Sequence, residues 1–175
     1  FAKRHEIAQT MAALFRKKLI QKIYSAILNG HLPKSSGKAI PEAFIYLPIG
    51  KDSNSIIRIK QSVNSLGKPC QTYFREKEKI GDFSLVEVRT FTGRTHQIRV
   101  HAAHIGCAVL GDKLYGLPED GFIRWLSEGD DYLLEQNFPL HRQLLHASEI
   151  RFEHPVKKIE TVIRASDEIL LKELN

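Results

Sequence analysis

The sequence predicts an α+β fold: a mainly antiparallel, mixed sheet with helices flanking it. Three observations carry this. Strand-like segments follow one another between Ala39 and Thr90, separated only by turn residues. Helical spacing occupies the two ends of the chain. The 175 residues, 42% apolar and 26% charged, suffice for one domain with its own core.

Taken in order, Lys3 to Lys18 places Ile7, Met11, Leu14 and Phe15 at helical intervals, with Arg16, Lys17 and Lys18 at the end where a helix dipole favours cations. Ile20 to Ile27 alternates around Ile23 and Tyr24 as a strand, and Asn29-Gly30 ends it. His31 to Lys38 reads as loop. Four strands are then expected, at Ala39–Leu47, Ile56–Gln61, Gln71–Lys77 and Phe83–Thr90. Pro48-Ile49-Gly50, Gly67-Lys68-Pro69 and Gly81-Asp82 punctuate them. A short helix is predicted over His96–Ile105, with Thr95 as its N-cap and Gly106 as its stop. Gly111 to Pro118 reads as loop, Phe122–Leu126 as a helical turn and Asp130-Asp131 as a loop. Two strands, Leu144–Phe152 and Ile159–Arg164, meet at His154-Pro155, and Ser166 caps a closing helix over Asp167–Leu174. No internal repeat is visible, so the chain reads as a single domain.

The composition excludes several classes. No apolar run approaches the ~20 residues of a membrane helix, so no membrane partner is expected. Twenty-six Lys+Arg against 20 Asp+Glu give a net charge of +6, a balance suited to a polyanion such as RNA or DNA. Cys70 and Cys107 have no paired spacing and read as reduced thiols of a cytoplasmic protein. The chain opens on Phe1-Ala2 without Met or a secretory pattern, which reads as the tail of a strand, so the natural protein is expected to begin upstream.

The chemistry concentrates in Gly93-Arg94-Thr95-His96-Gln97-Ile98-Arg99-Val100-His101 at a helix start. Ile98, Ala102 and Ile105 form the apolar side of that helix, which puts Arg99 at the boundary between core and cleft. A guanidinium there is costly unless paired, and it holds a carboxylate by two prongs. The alternative is a solvated basic helix start. His96, His101 and His104 are spaced by five and three, poor for one helical face, and no acidic residue lies among them. No metal site is predicted from them. Tyr24 taken alone is a core tyrosine, Asp112 a turn-former, and Leu144-Leu145-His146-Ala147 an apolar strand start.

Together these segments resemble the RluA-type pseudouridine synthases. The Arg-Thr-His-Gln-Ile-Arg run is followed by Gly111-Asp112-Lys113-Leu114-Tyr115-Gly116 and Leu144-Leu145-His146-Ala147. Gly67-Lys68-Pro69-Cys70-Gln71-Thr72 is similar to that family's GKPxxT segment, and Lys22-Ile23-Tyr24-Ser25-Ala26 to its K-x-Y-x-A segment. The resemblance spans essentially the whole chain and is closest to the branch acting on large-subunit ribosomal RNA. It implies a pseudouridine synthase catalytic-domain fold and an isomerase that detaches uracil from its sugar, turns it and rejoins it through C5. It implies catalytic roles for Tyr24 and Arg99, and substrate contacts from Arg94, His96, Gln97, Leu144 and Leu145. It implies no cofactor, because bonds broken and made balance within one nucleotide. It implies an RNA partner and a monomer.

The family's essential aspartate stands on an HRLDxxTSG segment, and no HRLD occurs in these 175 residues. None of the seven aspartates (Asp52, Asp82, Asp112, Asp120, Asp130, Asp131, Asp167) has that context. The carboxylate facing Arg99 is therefore expected from polypeptide upstream of Phe1, and this chain alone is expected to isomerise no uridine. Two other readings compete: a non-catalytic RNA-binding relic of the same fold, and, on the histidines, a metal hydrolase.

Overall fold

The computed structural model describes residues 2–33, 41–136, 138 and 141–174. The first strand, β1 (Gln21–Asn29), pairs antiparallel with β6 (Phe83–Thr90) on one side and β7 (Leu145–Glu153) on the other. With β2 (Glu42–Tyr46), β5 (Gln71–Ile80) and β8 (Glu160–Arg164) these make a six-stranded sheet in the order β2-β5-β6-β1-β7-β8. Each neighbouring pair is antiparallel, as the run of turn-separated strands predicts.

Alternation divides the sheet into two faces. Tyr24, Ala26 and Leu28 of β1 lie opposite Val88, Val86 and Ser84 of β6. On this front face Ala26, Leu28, Phe74, Val86 and Val88 are buried against α2 (Gln97–His104) through Ile98 and Ala102. On the back face Ile27, Leu85, Leu110 and Leu144 meet Leu170 of the short helix α6 (Glu168–Leu171). A 3₁₀ turn, Lys172–Leu174, follows it. The N-cap of α6 is Asp167 rather than the expected Ser166, whose Oγ accepts the Glu168 amide (3.2 Å) from one residue further back.

Between these lie α1 (His5–Arg16), the short helices α3 (Lys113–Gly116), α4 (Glu119–Glu128) and α5 (Asp130–Glu135), and a two-stranded ribbon of β3 (Ile49–Lys51) and β4 (Gln61–Val63). The ribbon is held against the 67–68 turn. A Cβ on Gly67 would stand 2.3 Å from the Ile49 carbonyl carbon, so only glycine permits this approach. Gly106, at φ +80°, ends α2 as expected.

Several local expectations are corrected. Ile56–Gln61 is not a strand; only Gln61 enters one. Asp52 accepts the Asn54 amide and Ser55 Oγ the Ile57 amide, and these bonds favour turns over a ladder. Gly111–Pro118 is not all loop: Asp112 accepts the amides of Leu114 and Tyr115 and so starts α3. Asp130-Asp131 opens α5 rather than a loop, two acids at a helix N-terminus. The turn over Phe122–Leu126 is the middle of α4. The N-cap of α2 is His96, at φ 55°, and not Thr95. The expected strand start Ala39-Ile40 and most of the 31–38 loop fall outside the described residues.

Candidate active site

Strand β1 turns Lys22 and Tyr24 to the front face, and Thr90 lies across from Lys22. The start of α2 overhangs them. Together they line a hollow of about 180 Å³ that includes Tyr24, Arg94, His96, Gln97, Arg99 and Leu145. The structure thus brings six of the seven expected site residues together.

Leu144 is the seventh, and its expected substrate contact is corrected. It is fully buried on the back face with Ile27, Leu85 and Leu110. Adjacent residues of an extended chain point to opposite faces, so only Leu145 can look into the hollow.

Gln97 is buried and acts from beneath. Its Nε2 donates to the Gln71 carbonyl (2.7 Å) and Thr72 Oγ1 (2.9 Å), and its Oε1 accepts the Arg94 amide (3.0 Å) and the Thr92 hydroxyl (2.9 Å). It fixes the 92–94 turn to β5. Arg94 Nε donates to the Pro69 carbonyl (3.2 Å), tying the turn to the Gly67-Lys68-Pro69 segment.

Arg99 has the carboxylate its position demands, from a residue read only as a turn-former. Its Nε donates to Asp112 Oδ2 (2.6 Å) and its Nη2 to Oδ1 (2.7 Å), with the carboxylate wholly buried. Two prongs match a guanidinium to a carboxylate. The remaining hydrogens of Arg99, both on Nη1 and one on Nη2, are left for another acceptor. Asp112 serves twice, as cap of α3 and as anchor of Arg99.

Tyr115, which sequence reasoning missed, packs against Arg99 and His96 from outside the hollow. Arg99 Cζ lies 4.9 Å from its ring centroid. Its hydroxyl accepts the Gln61 amide (3.0 Å) and lies 2.9 Å from His96 Nδ1. Burial first, then the Arg99 charge, lowers the His96 pKa, so the imidazole is neutral at pH 7. With the Gln61 amide already on its oxygen, the Tyr115 hydroxyl is free to donate to Nδ1, an arrangement that puts the imidazole proton on Nε2. His96 is held in the left-handed backbone region, costly for a residue with a Cβ. The signal for Tyr115 was its place three residues after Asp112, the spacing at which helix neighbours meet.

Burial raises the Tyr24 phenol above its ordinary range, so it is protonated at neutral pH. The three histidines do not converge. His101 is fully buried, with Nδ1 2.8 Å from Thr72 Oγ1 and Nε2 3.1 Å from the Leu47 carbonyl, while His104 is exposed. No group of three or more His, Cys, Asp or Glu among the described residues could hold a metal. No helix among them is long and apolar enough to cross a membrane.

The family model described as RNA pseudouridylate synthase matches residues 1–104. The chain is 35% identical over 173 residues to Ribosomal large subunit pseudouridine synthase C of Vibrio cholerae serotype O1, covering 98% of this chain and 48% of that one. It is 35% identical over 164 residues to the protein of the same name from Vibrio vulnificus, covering 94% and 46%. The chain therefore spans about half the length of the curated relatives it matches. Among solved structures it superposes on Human RNA Pseudouridylate Synthase Domain Containing 1 with a TM-score of 0.72 at 27% identity, over 99% of this chain and 65% of that one. The match of the family model begins at Phe1 and runs through β1 and all of α2, the two elements that supply Tyr24 and Arg99, and on this the assignment stands: the chain belongs to the RNA pseudouridylate synthase family.

Proposed function

We propose that this chain forms the uridine-binding half of an RNA pseudouridine synthase acting on large-subunit ribosomal RNA. One observation carries the reading: Tyr24 and Arg99 line a single hollow, walled by Arg94, His96 and Leu145. The names of the relatives support the choice of large-subunit RNA.

A uridine in folded RNA reaches such a hollow only by leaving its stack. The Tyr24 ring offers a stacking face. Its raised pKa makes it a hydrogen-bond donor at rest, and it accepts the C5 proton only once its own proton has gone. In the reaction the N1–C1′ bond breaks, the C5–C1′ bond forms, C5 loses a proton and N1 gains one. No redox partner enters that balance. The carboxylate that meets C1′ is the one the resemblance places on the HRLD segment. Arg99, with Nε and one Nη2 hydrogen given to Asp112, keeps three donors with which to hold it ionised.

Mapping pseudouridine in ribosomal RNA from a strain deleted for the gene tests the reading. One or more large-subunit sites should lose the modification and regain it on complementation. An unchanged map would overturn it in favour of the RNA-binding relic.

A further inference from the structure

A second groove adjoins the hollow. It lies between the C-terminal end of α1 and the ends of β1 and β6, encloses about 640 Å³, and shares Lys22, Thr90, Thr92 and Gly93 with the hollow. Two of its walls are rings: Phe15 and Phe91, each 50% exposed, a state that nothing in the packing of the described residues rewards. Phe91 is braced by Phe44, the ring centroids 5.9 Å apart. The groove's charged lining is Arg16, Lys18 and Lys22, and none of these has a carboxylate within 4.0 Å among the described residues.

Lys18 adds a separate observation. It follows the C-cap of α1 at φ 57°, where the Leu19 amide returns to the Leu14 carbonyl (3.0 Å). Glycine is the usual residue at that position. A lysine there accepts backbone strain and places an ammonium on the groove wall.

Half-exposed rings interleaved with unpaired cations make a surface for single-stranded nucleic acid, where bases stack and phosphates are neutralised. We infer that this groove carries the single strand flanking the uridine held in the hollow, with a base on Phe91 and phosphates on Arg16 and Lys18. The inference rests on the pseudouridine synthase reading, and it assigns the route by which the strand leaves that site.

Fluorescence anisotropy of the 175-residue chain with a labelled oligouridylate of about 12 nucleotides, a length within the site sizes of such surfaces, tests it. Phe91→Ala should weaken binding about tenfold, while Phe91→Trp keeps it. Arg16→Gln combined with Lys18→Gly should flatten the dependence of log affinity on log salt by about 1.4, roughly 0.7 per phosphate. Lys18→Gly suits the backbone at that position, and circular dichroism checks each fold. If Phe91→Ala unfolds the chain, the Arg16/Lys18 variant decides alone. Unchanged affinity and slope would overturn the inference, leaving the groove to a polypeptide segment. So would failure of the wild-type chain to bind the oligonucleotide at low salt. Neither outcome touches the enzyme reading, which the ribosomal RNA map decides separately.

Discussion

Arg99 and Asp112 form a two-pronged ion pair at 2.6 and 2.7 Å, with the guanidinium 16% exposed and the carboxylate not at all. The pair joins α2 to the start of α3, and so joins the Arg-Thr-His-Gln-Ile-Arg segment to the Gly-Asp-Lys-Leu-Tyr-Gly segment. Removing one member leaves the other charged, buried and unmatched.

Asp112→Ala should therefore cost about 3–5 kcal/mol by urea denaturation, the range for a broken buried pair. Arg99→Ala should cost less. Its removal leaves the Leu114 and Tyr115 amides capped by Asp112, whereas Asp112→Ala frees those as well. The double variant should fall well short of the sum of the two. Additive losses would show that the two side chains act independently.

Stability should fall on mild acidification. The neutral tautomer of His101 donates from Nε2 to the Leu47 carbonyl and accepts at Nδ1 from the Thr72 hydroxyl, which in turn accepts from Gln97. Burial, above all, lowers its pKa. The unfolded chain binds the proton first, at an ordinary imidazole pKa of about 6.5. The stabilisation is thus complete above that pH and is lost as pH falls towards the folded value. His96, lowered chiefly by burial, adds to the same window. Thermal melts from pH 7.5 to 5 should show the decline, at a smaller slope in His101→Gln; an equal slope would assign it elsewhere.

The parts legible in the sequence were those set by local pattern. The span Phe83–Thr90 was predicted to the residue, because an apolar set of Phe83, Leu85 or Val86, and Val88 lies between the turn signals Gly81-Asp82 and Thr92-Gly93. The start of α2 and its stop at Gly106 were readable from cap chemistry, although Gln97, by gripping the Arg94 amide, moved the cap from Thr95 to His96. What could not be read was pairing at a distance. Arg99 announced a need for a carboxylate, but a separation of thirteen positions along the chain hid that Asp112 meets it. Tyr115 looked like any loop tyrosine until α3 turned its ring under the guanidinium.

Two adjacent leucines should separate stability from substrate binding. Leu144 is fully buried on the back face, so Leu144→Ala should cost about 2–5 kcal/mol and leave KM for RNA unchanged in the folded fraction. Leu145 borders the hollow and is only partly buried. Leu145→Ala should cost less stability and raise KM. The reverse pattern would mean that the strand registers differently from its pairing with Ala26.

The last prediction concerns Tyr24, whose ring and hydroxyl have separable duties. Tyr24→Phe keeps the ring against Val88 across the strand pair and removes only the hydroxyl. Its fold and its affinity for RNA should match the wild type. If the hydroxyl accepts the C5 proton, kcat for pseudouridine formation by the complete gene product should drop by about 10²–10⁴, the usual contribution of a positioned acid or base. Tyr24→Ala removes the stacking face too and should raise KM as well. Burial disfavours the phenolate, so an ultraviolet titration of the wild type should contain a late-ionising tyrosine that Tyr24→Phe lacks. Burial raises Tyr115 in the same direction, so one late phenol should remain in the variant. A near-normal kcat in Tyr24→Phe would confine this residue to stacking and move the proton acceptor to another group in the hollow.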